Sequence, residues 1–310
     1  MEKTRAKTTR NSLILLLTAT IWGMAFVSQS KGMDYMHPFT FNGVRSLIGA
    51  AGILMYILIS RKIAGDKAAK LDWKLNAKAG LLCGIFLTIA STLQQFGIKY
   101  TSVGKAGFIT TLYIIFVPMF GIFLKKKVAP VVWAAAGMAA VGMYLLCMTE
   151  SLRLGAGDVM VFLCAIAFAI QIMTVDHYAA SIDGAVVSCI QFTVCGVVCC
   201  IGALIWGQPT FGQIQEGLGA LLYAGVLSCG VGYTLQIVGQ KGLNPTVAAL
   251  IMSLESVIAT ISGWIAYKIG FLSTDQTLTL RQIAGCVIVF AAVILVQLPP
   301  EWFRFGKKNA

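Results

Sequence analysis

Residues 92–126 and 234–268 read as one helix pair written twice. Displaced by 142 positions, without a gap, Thr92, Leu93, Gln94, Gly97, Lys99, Ala106, Ile109, Leu112, Gly121 and Lys126 fall on Thr234, Leu235, Gln236, Gly239, Lys241, Ala248, Ile251, Leu254, Gly263 and Lys268. Both copies are apolar and long enough to cross a bilayer. An internal repeat in a polytopic membrane chain points to a carrier, because two pseudo-symmetric halves can rock about a shared midplane site.

Composition narrows the class. Apolar residues make up 58% of the chain and charged residues 12%. A soluble surface needs roughly 25% charged residues, so this chain cannot clothe a globule in polar side chains. The net charge of +12 does not point to nucleic acid. The positive residues sit between apolar stretches, as the positive-inside rule predicts, and no recognition motif accompanies them. The nine cysteines all fall in apolar stretches without the paired loop spacing of a disulfide framework or zinc site. They are expected to be small packing residues, and neither a metal nor a cofactor is expected.

An apolar helix of about 20 residues spans the hydrocarbon layer. Ten such stretches are expected, at about 12–30, 38–60, 79–99, 106–124, 129–148, 158–176, 185–206, 217–239, 245–267 and 281–298. The first follows Lys3, Arg5, Lys7 and Arg10 and reads as an uncleaved helix rather than a signal peptide. With the N-terminus cytoplasmic, 17 Lys and Arg residues fall inside, among them Lys125 to Lys127, Arg304, Lys307 and Lys308, against 6 outside. Both termini are therefore expected in the cytoplasm. The repeat offset of about 142 to 146 residues gives each half five spans. Five is odd, so the second half enters the membrane inverted. The expected fold is an all-α polytopic membrane protein of two inverted five-helix repeats, 1–152 and 153–310, joined outside by Thr149 to Arg153. No P-loop or dinucleotide fingerprint is present; Gly104-Lys105 lacks the flanking glycine and hydroxyl residue.

Ile21-Trp22-Gly23 in the first span, the run Gly107 to Pro118, Gly157-Asp158 opening the sixth span, and Asn244-Pro245-Thr246 followed by Ser253-Leu254-Glu255-Ser256-Val257 resemble, in that order, the EamA-type drug/metabolite transporters. The likeness covers nearly the whole chain. It implies an inverted-repeat carrier of small organic solutes, with spans one to four and six to nine around a central cavity and spans five and ten outside it. The run Ala134 to Gly142 suits such close peripheral packing; the same run could form a dimer face, so monomer and homodimer both stay open.

Polar side chains within spans need a reason. Glu255 lies about ten residues into its span, where an ionised carboxylate costs roughly 2.5–3.5 kcal/mol. A carboxyl there that gains and loses a proton suits coupling; the plainer alternative is an anchor to a neighbouring helix. Arg45, about a third into the second span, cannot shed its charge. It is a solute contact, or else part of a fixed ion pair or a snorkelling cation. Its repeat mate is the neutral Gln191. Gln94 and Gln236 are repeat mates, and Gln171 lies on the sixth span. Amides both donate and accept, so they can line a cavity or simply bond helix to helix. Trp22, Tyr113 and Tyr233 are candidate cavity aromatics, with core packing as the alternative; Tyr113 is the mate of Glu255. Pro118 removes one backbone hydrogen bond and marks a helix kink. His37 and His177 fall at span ends, outside any expected site.

The expected function is thus a secondary carrier of small organic solutes, metabolites, amino acids or drugs, in the export direction. It works in the plasma (inner) membrane by alternating access, with a proton as candidate coupling ion. The partners are the lipid bilayer and the solute, and no catalytic residue is expected. Two rivals remain: a membrane-embedded enzyme acting on a lipid-linked substrate, for which no nucleophile stands beside a base, and a channel.

Overall fold

A backbone immersed in hydrocarbon can satisfy its polar groups only as helix or closed barrel. The chain takes the first route. The computed structural model describes residues 2–65, 71–124, 129–147, 155–273 and 276–297, and among these there is no strand. The apolar stretches form α1 (Glu2–Gly32), α2 (Pro38–Ala64), α3 (Trp73–Ile98), α4 (Val103–Phe123), α5 (Pro130–Cys147), α6 (Ala156–Tyr178), α7 (Gly184–Gly207), α8 (Leu218–Gln240), α9 (Pro245–Lys268) and α10 (Leu280–Gln297). Eight of them are long and apolar enough to cross a membrane; α5 and α10 are apolar but shorter in their described parts. The lysines at 125–127, the joining segment Thr149 to Arg153, and Arg304, Lys307 and Lys308 lie outside the described residues.

The helix starts follow local chemistry. The first amides of a helix lack intrahelical acceptors, and short polar side chains supply them. Asp72 accepts from Leu75 N, Ser102 from Lys105 N, Asp183 from Ala185 N and Val186 N, and Asn244 from Thr246 N. His37 Nδ1 accepts from Phe39 N and opens α2, with Pro38 at the first helical position. Burial, and the nearby Lys99 ammonium, hold the His37 imidazole below its ordinary range. It therefore serves as a neutral acceptor at pH 7.

Eight helices close a ring. Going round, α1 packs on α9, α9 on α4, α4 on α6, α6 on α3, α3 on α7, α7 on α2, α2 on α8, and α8 back on α1. The pair α5 and α10 packs together outside this ring, against α4 and α9. Lipid tails give no hydrophobic push between helices, so close approach at small residues holds such a ring together. One such close crossing is α3 on α6. A Cβ on Gly97 would lie 2.9 Å from the Gly157 carbonyl oxygen and collide with the Val161 side chain. Gly97→Val is expected to force these helices apart and, at about 1–3 kcal/mol or more for overpacking, to cut the yield of monodisperse protein several-fold. Size-exclusion chromatography in detergent checks this; an unchanged elution profile and yield would refute it.

An ion pair ties α6 to the first turn of α4. Asp158, 3% exposed, accepts from Lys105 Nζ at 2.6 Å, from Thr101 Oγ1 at 2.8 Å and from Gly155 N at 2.9 Å. Removing one partner of a buried pair is costly because the other charge stays behind, although here Lys105 is one-fifth exposed. Asp158→Asn keeps the shape. We expect it to cost about 1–3 kcal/mol, a melting-temperature drop of about 2–12 °C at about 2–4 °C per kcal/mol. Differential scanning fluorimetry reads this directly.

Candidate functional site

The ring encloses a central cavity fed by seven of its eight helices. The α1 face Trp22, Ala25, Phe26 and Gln29 follows the i, i+3, i+4, i+7 spacing of one helical stripe. It meets Arg45 of α2, Gln94 of α3, Thr110 and Tyr113 of α4, Phe168 and Ile172 of α6, Ser228, Tyr233 and Gln236 of α8, and Glu255 of α9. The cavity measures about 30 Å³. A single water needs about 10–15 Å³ of such space, so the helices stand nearly closed upon one another.

Arg45 is 5% exposed. Its Nε donates to Asn42 Oδ1 at 2.8 Å, and its guanidinium carbon stands 5.5 Å from the centre of the Phe41 ring. Among the described residues no carboxylate lies within ion-pair distance of it. The fixed intramembrane ion pair considered from sequence is therefore not what the described residues hold. Glu255, 4% exposed, accepts a hydrogen bond from Tyr113 OH at 3.1 Å. These two residues are separated by 142 positions, the same displacement that superposes the repeated segments. Gln94 Nε2 donates to Thr110 Oγ1 at 3.2 Å. The Trp22 and Tyr233 rings lie 4.5 Å apart, with Phe192 edge-on to Tyr233 at 5.0 Å. Trp22 Nε1 and Gln29 Oε1 are buried and have no partner among the described residues.

The structure thus brings Trp22, Arg45, Gln94, Tyr113, Tyr233, Gln236 and Glu255 to one cavity. Gln171 and Gln191 lie behind the wall rather than in it. Gln171 Nε2 donates to Gln191 Oε1 and to Gln236 Oε1, both at 3.5 Å, and Gln236 Nε2 donates back to Gln171 Oε1 at 3.2 Å. Pro118 sits inside the helical stretch Tyr113–Phe123, and the interruption in α4 falls earlier, at Leu112. A matching interruption in α9 falls at Ser253. Both breaks are within two residues of the Tyr113–Glu255 contact.

Other features escaped the sequence reading. Gln29, Thr110 and Ser228 line the cavity; for Gln29 the signal was present, seven residues beyond Trp22 on one stripe. A further one is in α8, where Tyr223–Gly232 winds as a π-helix. Such wide turns cluster at functional sites. Gly225 allows this one to press on α2, because a Cβ there would lie 2.9 Å from the Arg45 carbonyl oxygen.

A ring of membrane-length helices around a polar, nearly closed central cavity is the architecture of an integral membrane transporter. The model of the EamA-like transporter family matches the chain twice in succession, over residues 10–148 and 155–298, and the chain belongs to that family. It is 27% identical over 290 residues to an uncharacterized transporter of Archaeoglobus fulgidus, covering 92% of this chain and 84% of that one. It is likewise 27% identical over 257 residues to the uncharacterized transporter YwfM of Bacillus subtilis, covering 81% and 84%. A solved crystal structure overlays with a TM-score of 0.73 across 96% of this chain and 99% of its own, at 15% identity, a likeness of fold alone. The chain is accordingly a membrane transporter, seated in a lipid bilayer and handling small solutes.

Proposed function

We propose that the protein is a secondary carrier that moves small organic solutes across the plasma membrane by alternating access. Its halves, 1–152 and 153–310, are inverted five-helix repeats, with α5 and α10 as the fifth and tenth spans and both termini cytoplasmic. The observation that carries this reading is the near-closed cavity with Arg45 and Glu255 in its wall. A space of about 30 Å³ holds one or two waters and no organic solute, so loading requires the helices to part. Two further findings support a twofold pair of repeats, which an odd number of spans in each half would invert. The family's model fits the chain twice in tandem. Residues that the repeat superposes, Tyr113 and Glu255, touch each other, as mates do only beside a pseudo-twofold axis. In this reading Trp22, Arg45, Gln94, Tyr113, Tyr233 and Gln236 contact the solute, with Gln171 and Gln191 bracing Gln236, and Glu255 carries a coupling proton. The Leu112 and Ser253 interruptions are the midplane breaks at which the helices flex.

Counterflow in proteoliposomes tests the reading. Solute on the far side of the membrane should accelerate tracer uptake at least several-fold, because a carrier returns faster loaded than empty. Uptake indifferent to solute on the far side would identify a channel and overturn the carrier.

A further inference from the structure

We infer that the central cavity takes a small organic monocarboxylate, its carboxylate on Arg45 and its apolar body among Trp22, Phe26, Phe168 and Tyr233, and that it binds together with one proton on Glu255. This rests on the carrier reading and adds the chemistry of the cargo.

Charge is the first argument. A guanidinium cannot deprotonate in a protein, and an arginine near the bilayer centre is expensive unless something negative or wet stands beside it. Arg45 is buried, lines the cavity, and has no carboxylate within ion-pair distance among the described residues. Shape is the second. Asn42 takes Nε, and the Phe41 ring lies beside the guanidinium, while no partner for the two terminal nitrogens is found among the described residues. A planar, two-pronged donor of that kind matches a carboxylate bidentately. Valence is the third. Among the described residues Arg45 is the one cation in the cavity wall, so a single negative charge is neutralised and a phosphate dianion is not. The rest of the wall sets the aromatic and aliphatic Trp22, Phe26, Phe168, Ile172 and Tyr233 beside neutral polar groups from Gln29, Gln94, Thr110, Ser228 and Gln236, and Trp22 Nε1 and Gln29 Oε1 have no partner among the described residues. That surface suits a compact body with an apolar side and one or two neutral polar groups.

Glu255 then sets the stoichiometry. Among the described residues it is the one carboxyl group in the cavity wall. When Glu255 is ionised, the cavity holds one positive and one negative charge, and an arriving anion meets no net attraction. When Glu255 is protonated, Tyr113 and Glu255 stay neutral, Arg45 stands alone, and the anion restores neutrality. Carboxylate and proton therefore enter as a pair, and each raises the affinity for the other by linkage. A zwitterion or an amine would instead favour ionised Glu255 and release a proton on binding.

The test uses the full chain purified into lipid nanodiscs. Thermal stabilisation and intrinsic tryptophan fluorescence are titrated with a series of two- to nine-carbon monocarboxylates, straight, branched and aromatic. The corresponding amides, the corresponding amines and inorganic phosphate are titrated in parallel. At least one carboxylate should bind at least tenfold more tightly than its own amide, with uptake of about one proton per molecule bound, read by a pH indicator in weak buffer. Arg45→Gln should weaken that binding at least tenfold, with Arg45→Lys in between. Glu255→Gln should bind without proton uptake. Equal binding of acid and amide, proton release on binding, preference for phosphate or amines, or no binding across the acid series would each overturn the proposal. The comparison of acid with amide needs no variant, so it stands even if an Arg45 substitution fails to fold. The carrier reading fails separately: a solute that binds as described but shows no counterflow removes transport and leaves the site chemistry intact.

Discussion

Glu255→Gln is expected to abolish solute accumulation driven by a pH gradient while leaving a folded protein. The substitution keeps the length and volume of the side chain and retains an acceptor for Tyr113 OH, whose bond to Glu255 Oε1 spans 3.1 Å. It therefore mimics the protonated acid and removes the one transition on which coupling depends. A gradient of one pH unit supplies a tenfold accumulation ratio for one-to-one coupling, about 1.4 kcal/mol. With the titrating group gone that ratio should fall to about one, and the pH dependence of solute affinity should vanish with it, since a single linkage ties the two equilibria. Exchange of solute between equal pools on the two sides should persist, because it needs no net proton movement. The measurement is tracer flux into proteoliposomes with and without an imposed gradient. Undiminished gradient-driven accumulation in Glu255→Gln would make Glu255 a helix-to-helix tie and place coupling elsewhere.

The companion variant Tyr113→Phe separates the roles at this contact. It deletes the hydroxyl but no ionisable acid, so it should change the pH at which flux is half-maximal rather than remove gradient-driven flux. That distinction matters because the pair lies beside the interruptions at Leu112 and Ser253. A hydrogen bond between two flexing helices can report on protonation and also hold a conformation.

Much of this site could be read from the chain, for a definite physical reason. In hydrocarbon each polar or charged side chain is conspicuous because its burial needs compensation. Arg45, Gln94, Gln236 and Glu255 therefore stood out, and the structure gathers all four at one cavity. The repeat offset further paired Tyr113 with Glu255, and the two are hydrogen-bonded. What stayed hidden is geometry that composition does not encode. Phe26, Phe168 and Ile172 look like any lipid-facing or core residue until the rotation of their helices is known. The π-helical stretch Tyr223–Gly232 has the same apolar, glycine-bearing composition as its α-helical neighbours, yet it turns Ser228 into the cavity. Pro118 was expected to mark a kink in α4, and the helical stretch Tyr113–Phe123 runs through it. The interruption at Leu112, next to the Tyr113 that bonds Glu255, falls where no residue type announces it. Gln171 and Gln191 were expected in the wall because amides are versatile cavity groups. They bond to one another and to Gln236 instead.

That amide cluster carries the second large expected effect. At the repeat offsets, Ala25, Arg45 and Gln94 correspond to Gln171, Gln191 and Gln236. The first set lines the cavity, and the second, of which only Gln236 reaches the cavity, is knitted together with Ser188 Oγ and Gln191 Nε2 left without partners among the described residues. If the halves exchange conformations during transport, the cluster is closed in this state and parted in the other. Its hydrogen bonds then contribute only here. Interhelical hydrogen bonds in membranes average about 0.6 kcal/mol each, so the three contacts of Gln171 amount to about 1–2 kcal/mol. Gln171→Leu keeps the volume and deletes them, and it should shift the conformational equilibrium about five- to thirtyfold away from the state described here. Hydrogen–deuterium exchange in nanodiscs reads the shift. Peptides from α6, α7 and α8 around residues 171, 191 and 236 should lose protection, while α1 and α2 around residues 25 and 45 should gain it as their cavity closes. Loss of protection in both halves together would mean that the variant merely loosens the bundle, and unchanged exchange in both would mean that the cluster fixes no state; either result rules out the swap.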